Sequence, residues 1–160
     1  MTASSAPTDL PASHDEPRVT HHRGGARPPA VLAASASRMA ATVVDAVARA
    51  TGVLPIVIEA PADEDKSLLR AAERSLPSDA IAVVAIEVST PGALIALGYC
   101  AGVLGTERVI PVCAPEVPTI TDLADFSCVT VGPDNAWRRE LSALLEGAGF
   151  PSVEVVATRL

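Results

Sequence analysis

From Ala30 onward, short apolar runs alternate with stretches in which apolar residues return every three or four positions. The runs are strand candidates and the recurrences helix candidates, because side chains alternate faces along a strand while one helical face returns about every 3.6 residues. Ala30–Ala34 reads as a first strand. Met39, Val43, Val47 and Ala50 mark the buried face of a helix, capped by Ser35 or Ser37 and stopped by Gly52. Val53–Ile58 is a second strand, and Pro55, with no N–H for a ladder, assigns it to a sheet edge. After the acidic loop Pro61–Asp65 comes a helix over Lys66–Ser75 with Leu68, Leu69, Ala72 and Leu76 on its apolar side. Asp79–Ile86 is apolar without alternation, the signature of a central strand covered on both faces.

The second half continues the rhythm. A helix from Pro91 ends near Gly105, and Arg108–Cys113 forms a fourth strand. A Pro-rich turn and short helix near Thr121–Asp125 lead to a fifth strand, Ser127–Val131. Asp134 caps a last helix in which Trp137, Leu141, Leu144 and Leu145 share a face, ended by Gly147 or Gly149. Val153–Ala157 reads as a final strand at an edge or an oligomer contact. Five β-then-α units imply an α/β fold: a flavodoxin-like parallel sheet of order 2-1-3-4-5 with helices on both faces and right-handed crossovers. That order places strand 2 at an edge, in agreement with Pro55.

Composition sharpens the picture. Residues 1–29 are rich in Ser, Thr, Pro, Ala, Gly and His and nearly devoid of large aliphatics, so they read as a disordered tail preceding an α/β domain over 30–160. Hydrophobic residues make up 49% of the chain but aromatics only 2%, which leaves Val, Ile, Leu and Ala to build the core. The formal net charge of −7, with no basic stripe, argues against a nucleic-acid partner. Cys100, Cys113 and Cys128 are odd in number and widely spaced, as small core residues in a reducing compartment are. No apolar run spans a bilayer and no secretion signal opens the chain, so the expectation is a cytoplasmic protein without a membrane partner. The tail histidines His14, His21 and His22 have no cysteine beside them, and carboxylates in a surface loop such as Asp63-Glu64-Asp65 are ordinarily solvated, so no metal site is expected.

In an open α/β sheet, ligands bind beyond the carboxyl ends of the strands, where the strand order reverses. For order 2-1-3-4-5 this lies between strands 1 and 3, bounded by Ser35-Ala-Ser37 and by Glu87-Val-Ser-Thr-Pro-Gly92. Ser35, Ser37, Ser89 and Thr90 have two readings: helix caps alone, or caps that also touch a ligand at two helix N-termini. Arg38 and the backbone N–H of Gly92 stand beside the same crevice. No Gly-rich phosphate signature is present. All three histidines lie in the tail, so neither a serine nor a cysteine nucleophile has a base in the domain.

Ala96-Leu97-Gly98-Tyr99, with Gly92 four residues earlier, resembles a helix of the nucleotide-binding TIR-like family, whose pattern is Asn-Val-x-x-Glu-Leu-Gly-Tyr. The nucleoside 2-deoxyribosyltransferases share a related Glu-Leu-Gly-Tyr helix. Ile120-Thr-Asp-Leu is similar to the family's Pro-Ser-Asp-Leu turn, Asn135-Ala-Trp-Arg-Arg-Glu-Leu to its closing helix, and Ser67-Leu-Leu to a Thr-Ile-Ile segment. The family's His-Gly-Arg-Asp loop is replaced by Ala34-Ser-Ala-Ser-Arg38. The likeness spans roughly residues 30–150 and implies a TIR-like domain with NAD or another nucleotide as ligand. Active members cleave an N-glycosidic bond, and a helix-borne glutamate stabilises or attacks the cationic ribose that forms.

Here that glutamate position is Ala96, whose methyl group does neither, and the Asn position is Gly92. The resemblance therefore implies a degenerate nucleotide-binding or protein-interaction module without glycohydrolase activity and with no required cofactor. Two alternatives stand beside it. One is an active NAD glycohydrolase or nucleoside N-glycosidase that uses Glu87 or a partner's residue. The other is a non-enzymatic scaffold that binds a protein partner or self-associates, since TIR-type modules signal by assembly.

Overall fold

Runs of small branched and aliphatic residues become strands here because helices cover both of their faces. A computed structural model of the chain describes residues 28–60, 67–88, 90–117 and 123–150. The predicted tail up to residue 27, the Asp63–Asp65 loop and the Val153–Ala157 strand lie outside these residues, as does part of the short helix near Thr121–Asp125, while Pro29, assigned to the tail, opens the first strand. The strands are β1 (Pro29–Ala33), β2 (Ile56–Glu59), β3 (Ile81–Ile86), β4 (Val109–Cys113) and β5 (Val129–Thr130). The helices are α1 (Arg38–Thr51), α2 (Leu68–Ser75), α3 (Pro91–Leu104) and α4 (Ala136–Gly147). All strand pairs are parallel, in the order β2-β1-β3-β4-β5. The fold is flavodoxin-like α/β.

The pleat divides the interior into two layers. Val31 and Ala33, Val83 and Ala85, Ile110 and Val112 face α1 and α4, where they meet Val43, Val47, Trp137, Leu141 and Leu145. Their neighbours Ala30 and Leu32, Ala82 and Val84 face α2 and α3, against Leu68, Ala72, Ala96, Leu97 and Cys100. Every residue of β1, β3 and β4 is buried, whereas β2 buries only Ile58. That difference is the edge position expected from Pro55, although the strand starts just after the proline and leaves Val53 and Leu54 outside it.

Local chemistry sets the helix ends. Ser37, rather than Ser35, caps α1: its Oγ accepts from the Ala40 N–H at 3.0 Å, and Gly52 closes the helix at φ 70°. Ser67 caps α2, which starts two residues later than expected. Thr90 caps α3, with Pro91 in the first turn, where its missing N–H costs nothing. At α4 the Asp134 carboxylate accepts from the Ala136 N–H at 3.1 Å, while Asn135 makes no side-chain cap. The helix runs through Gly147, and Gly149 beyond it holds φ 113°. The fifth strand is only two residues long, so Cys128 precedes it and is half-buried. No helix among the described residues is long and apolar enough to cross a membrane.

Candidate functional site

β1 and β3 are neighbours whose following helices depart to opposite faces of the sheet, and their carboxyl ends part to leave a cleft. Its volume is about 180 Å³, and its walls include Ala33, Ala34, Ser35 and Ser37 after β1 and Ala85, Glu87, Val88 and Thr90 after β3. Ala40 and Ala93, from the first turns of α1 and α3, close the base. Small side chains at these positions are what keep the space open. At about 30 Å³ per water the cleft holds about six waters, less than the ~300–1,000 Å³ that encloses a whole drug-sized ligand.

The polar groups converge from three directions. Ser37 Oγ and Thr90 Oγ1 each accept one backbone N–H, at 3.0 Å from Ala40 and 3.3 Å from Ala93. Each hydroxyl keeps its own proton to donate. Both helices direct the positive ends of their dipoles toward the cleft. Glu87, half-buried at the end of β3, is the only ionisable side chain among the described residues that line it. The site thus offers the capping hydroxyls of Ser37 and Thr90 and the exposed hydroxyl of Ser35, one carboxylate acceptor and the remaining N–H groups of two first turns.

Of the residues expected here, Ser35, Ser37, Glu87 and Thr90 line the cleft together. Ser89 lies outside the described residues. Arg38 is the exposed first residue of α1, and its carbonyl accepts from the Thr42 hydroxyl; its side chain is not part of the wall. Gly92 is exposed in the first turn of α3, also outside the wall, with open space where a Cβ would stand. The alanine walls were not foreseen. Their only signal in the sequence is alanine at each point where strand and helix approach the crossover.

Ala96 is fully buried and packs in the α2–α3 layer with Leu32, Ile58 and Val84; it does not line the cleft. Ala93, one turn nearer the helix start, is the α3 residue that does. The two share the inward face of α3 but differ in depth, since position 96 lies over the strands rather than at their open ends.

A second hollow of about 250 Å³ lies between α1 and α4, lined by Arg49, Arg138 and Arg139 with Asn135 and Ser142. Asp45 bridges two of these arginines: Arg49 Nε lies 3.0 Å from both carboxylate oxygens and Arg138 Nη1 3.1 Å from Oδ2. Those bonds, from Arg49 first and Arg138 second, hold the Asp45 carboxyl below its ordinary 3.8. The Arg138 guanidinium also lies 4.9 Å from the centre of the Trp137 ring. All three thiols are free. Burial pushes Cys100 and Cys113 up to about 11, so neither is a nucleophile at neutral pH.

No family model, no curated protein and no solved structure matches the chain.

Proposed function

We propose that this chain is a TIR-like nucleotide-binding module that has lost glycohydrolase chemistry, with NAD or another nucleotide held at the crevice between β1 and β3. The observation that carries the reading is the convergence of Ser37, Thr90 and Glu87 on a cleft at the point where strand order reverses. In this arrangement the carboxylate accepts from ribose hydroxyls. The two hydroxyls and the first-turn N–H groups donate to a phosphate or carbonyl oxygen. Binding without cleavage is what the resemblance implies: the family's carboxylate position falls on Ala96, and here that position is a methyl group in the packed interior, away from the cleft wall.

Calorimetry with nicotinamide dinucleotide and with adenosine monophosphate tests this directly. Saturable heat is expected, and Glu87→Ala weakens it about tenfold, the loss of one charge-assisted hydrogen bond of about 1.5 kcal/mol. No heat with any nucleotide refutes the reading. Glu87 also motivates a second one, an active N-glycosidase, because it places a carboxylate in the wall of the cleft. Release of free nicotinamide during incubation with the dinucleotide, abolished by Glu87→Gln, replaces the first reading with the second.

A further inference from the structure

The hollow between α1 and α4 gathers positive charge in a chain that is acidic as a whole. Three of its twelve basic residues, Arg49, Arg138 and Arg139, line this one space, against a formal net charge of −7. Among the described residues Asp45 is the one carboxylate bonded to them. The α4 carboxylates Glu140 and Glu146 are not in the lining. One aspartate between two arginines is enough to tie α1 to α4. Three guanidiniums against one carboxylate leave two positive charges in excess, which a structural ion pair does not require.

The cations are also held in place. Asp45 grips Arg49 through Nε and Arg138 through Nη1, and the Arg138 guanidinium lies 4.9 Å from the centre of the buried Trp137 ring. A guanidinium has five N–H donors, so each of these two keeps most of its fork for another acceptor. Arg139 makes no ion pair among the described residues. Asn135, at the start of α4, makes no capping bond with its side chain, and its amide joins the Ser142 hydroxyl as uncharged polar groups of the wall. On the α1 side Ala46 and Ala50 present methyl groups to the same space.

We propose that this hollow binds the phosphate monoester of a small organic molecule. Planar guanidinium forks donate in parallel to oxyanions, so the chemistry of the wall selects phosphate or carboxylate. The two surplus charges match a dianion better than chloride or a phosphate diester, each of which carries one negative charge. A phosphate monoester concentrates both of its charges in one headgroup, facing the arginines, while its carbon body rests against Ala46 and Ala50. The net charge of −7 repels an extended polyanion, which makes the occupant a small molecule and not a nucleic acid or an acidic protein. The inference does not rest on nucleotide binding between β1 and β3.

Trp137 is the only tryptophan in the sequence, so its fluorescence reports on the guanidinium stacked over it. Titration of the full chain with glycerol 3-phosphate, at pH 8 and constant ionic strength, is expected to give a saturable change with a Kd of about 0.1–1 mM. This probe has neither base nor ribose, which keeps the result separate from the reading of the cleft. Arg139→Gln changes an exposed side chain, so circular dichroism is retained while binding weakens about tenfold. Arg49→Gln, also exposed, acts likewise. Succinate, whose two charges sit on separate carboxylates, binds about tenfold more weakly than the monoester. No response up to about 50 mM overturns the proposal, as does a response undiminished in both variants. Equal binding of succinate overturns the assignment to phosphate, and a phosphoserine peptide that binds about tenfold tighter than glycerol 3-phosphate overturns the assignment to a small molecule.

Discussion

α1 and α3 are built to one plan and finished differently. Each is fourteen residues long, starts at a hydroxyl cap beside the same cleft and stops at a glycine with positive φ, 70° at Gly52 and 87° at Gly105. Their inner faces are interchangeable in kind, Val43 and Val47 on one and Leu97 and Cys100 on the other. Their outer faces are opposites. α1 presents Asp45 clamped between Arg49 and Arg138, which ties it to α4, whereas α3 presents Ile95, Val103 and two bare glycines. The starts of these two helices border the cleft and their inner faces pack on the sheet. The outer faces differ: that of α1 is tied to α4 through Asp45, and that of α3 is exposed among the described residues.

The strongest way to break the comparison is to charge an inner face. Ala96→Glu forces a longer side chain and a carboxylate into a fully buried position, which costs about 3 kcal/mol or more. Ala41→Glu on the exposed side of α1 changes stability by about 0.5 kcal/mol or less. Urea denaturation of the pair separates the two. A carboxylate placed at position 96 is thus expected to perturb packing instead of equipping the cleft, for which Ala93→Glu is the informative variant. Leu97→Ala, removing a buried side chain from α3, is expected to cost about 2–5 kcal/mol by the same measurement.

The shared caps come next. Ser37→Ala and Thr90→Ala each remove one side-chain acceptor from a first-turn N–H and lower stability by about 1 kcal/mol. Equal losses keep the helices alike at their starts; an effect confined to Ser37 would mean that Pro91 already secures the start of α3.

Two titrations probe the finer contrast. Cys100, on the inner face of α3, has its thiol raised to about 11 from an ordinary 9.0. Near pH 8 it presents about a hundredfold less thiolate than a free thiol, so alkylation followed by mass spectrometry should leave it unmodified until the chain unfolds. Because the folded protein favours the neutral thiol, this contribution to stability is intact below pH 9 and is lost as pH rises toward 11. Asp45 behaves in the opposite sense and is the smallest effect. Its lowered carboxyl contributes stability above its ordinary 3.8 that is lost as pH falls below that value. Asp45→Asn should therefore lower the melting temperature at neutral pH, and the difference should close in acid.

Much of the architecture was legible without coordinates, because the code for it is local. Unalternated apolar runs such as Ile81–Ile86 specify strands covered twice, and Pro55 specifies an edge. Glycine and hydroxyl residues punctuate the helices nearly where expected. The choice of Ser37 over Ser35 was not legible, since both suit a cap and only the path of the chain leaving β1 decides between them. The arginine hollow was invisible for a different reason: Asp45 and Arg138 are 93 residues apart, and no periodicity joins them.

Taken alone, the order of residues determined the fold class, the strand order and the loops that flank the crevice, because helix and strand periods, caps and the handedness of crossovers act through neighbours in the chain. Tertiary structure alone decided which of those residues share a wall, that Ala96 lies beneath the cleft rather than in it, and that Ile95 and Val103 on the far side of α3 are exposed among the described residues. Depth and exposure belong to the packing of distant segments, and a helix written in uncharged letters reads the same whether its outer face meets another helix or open water.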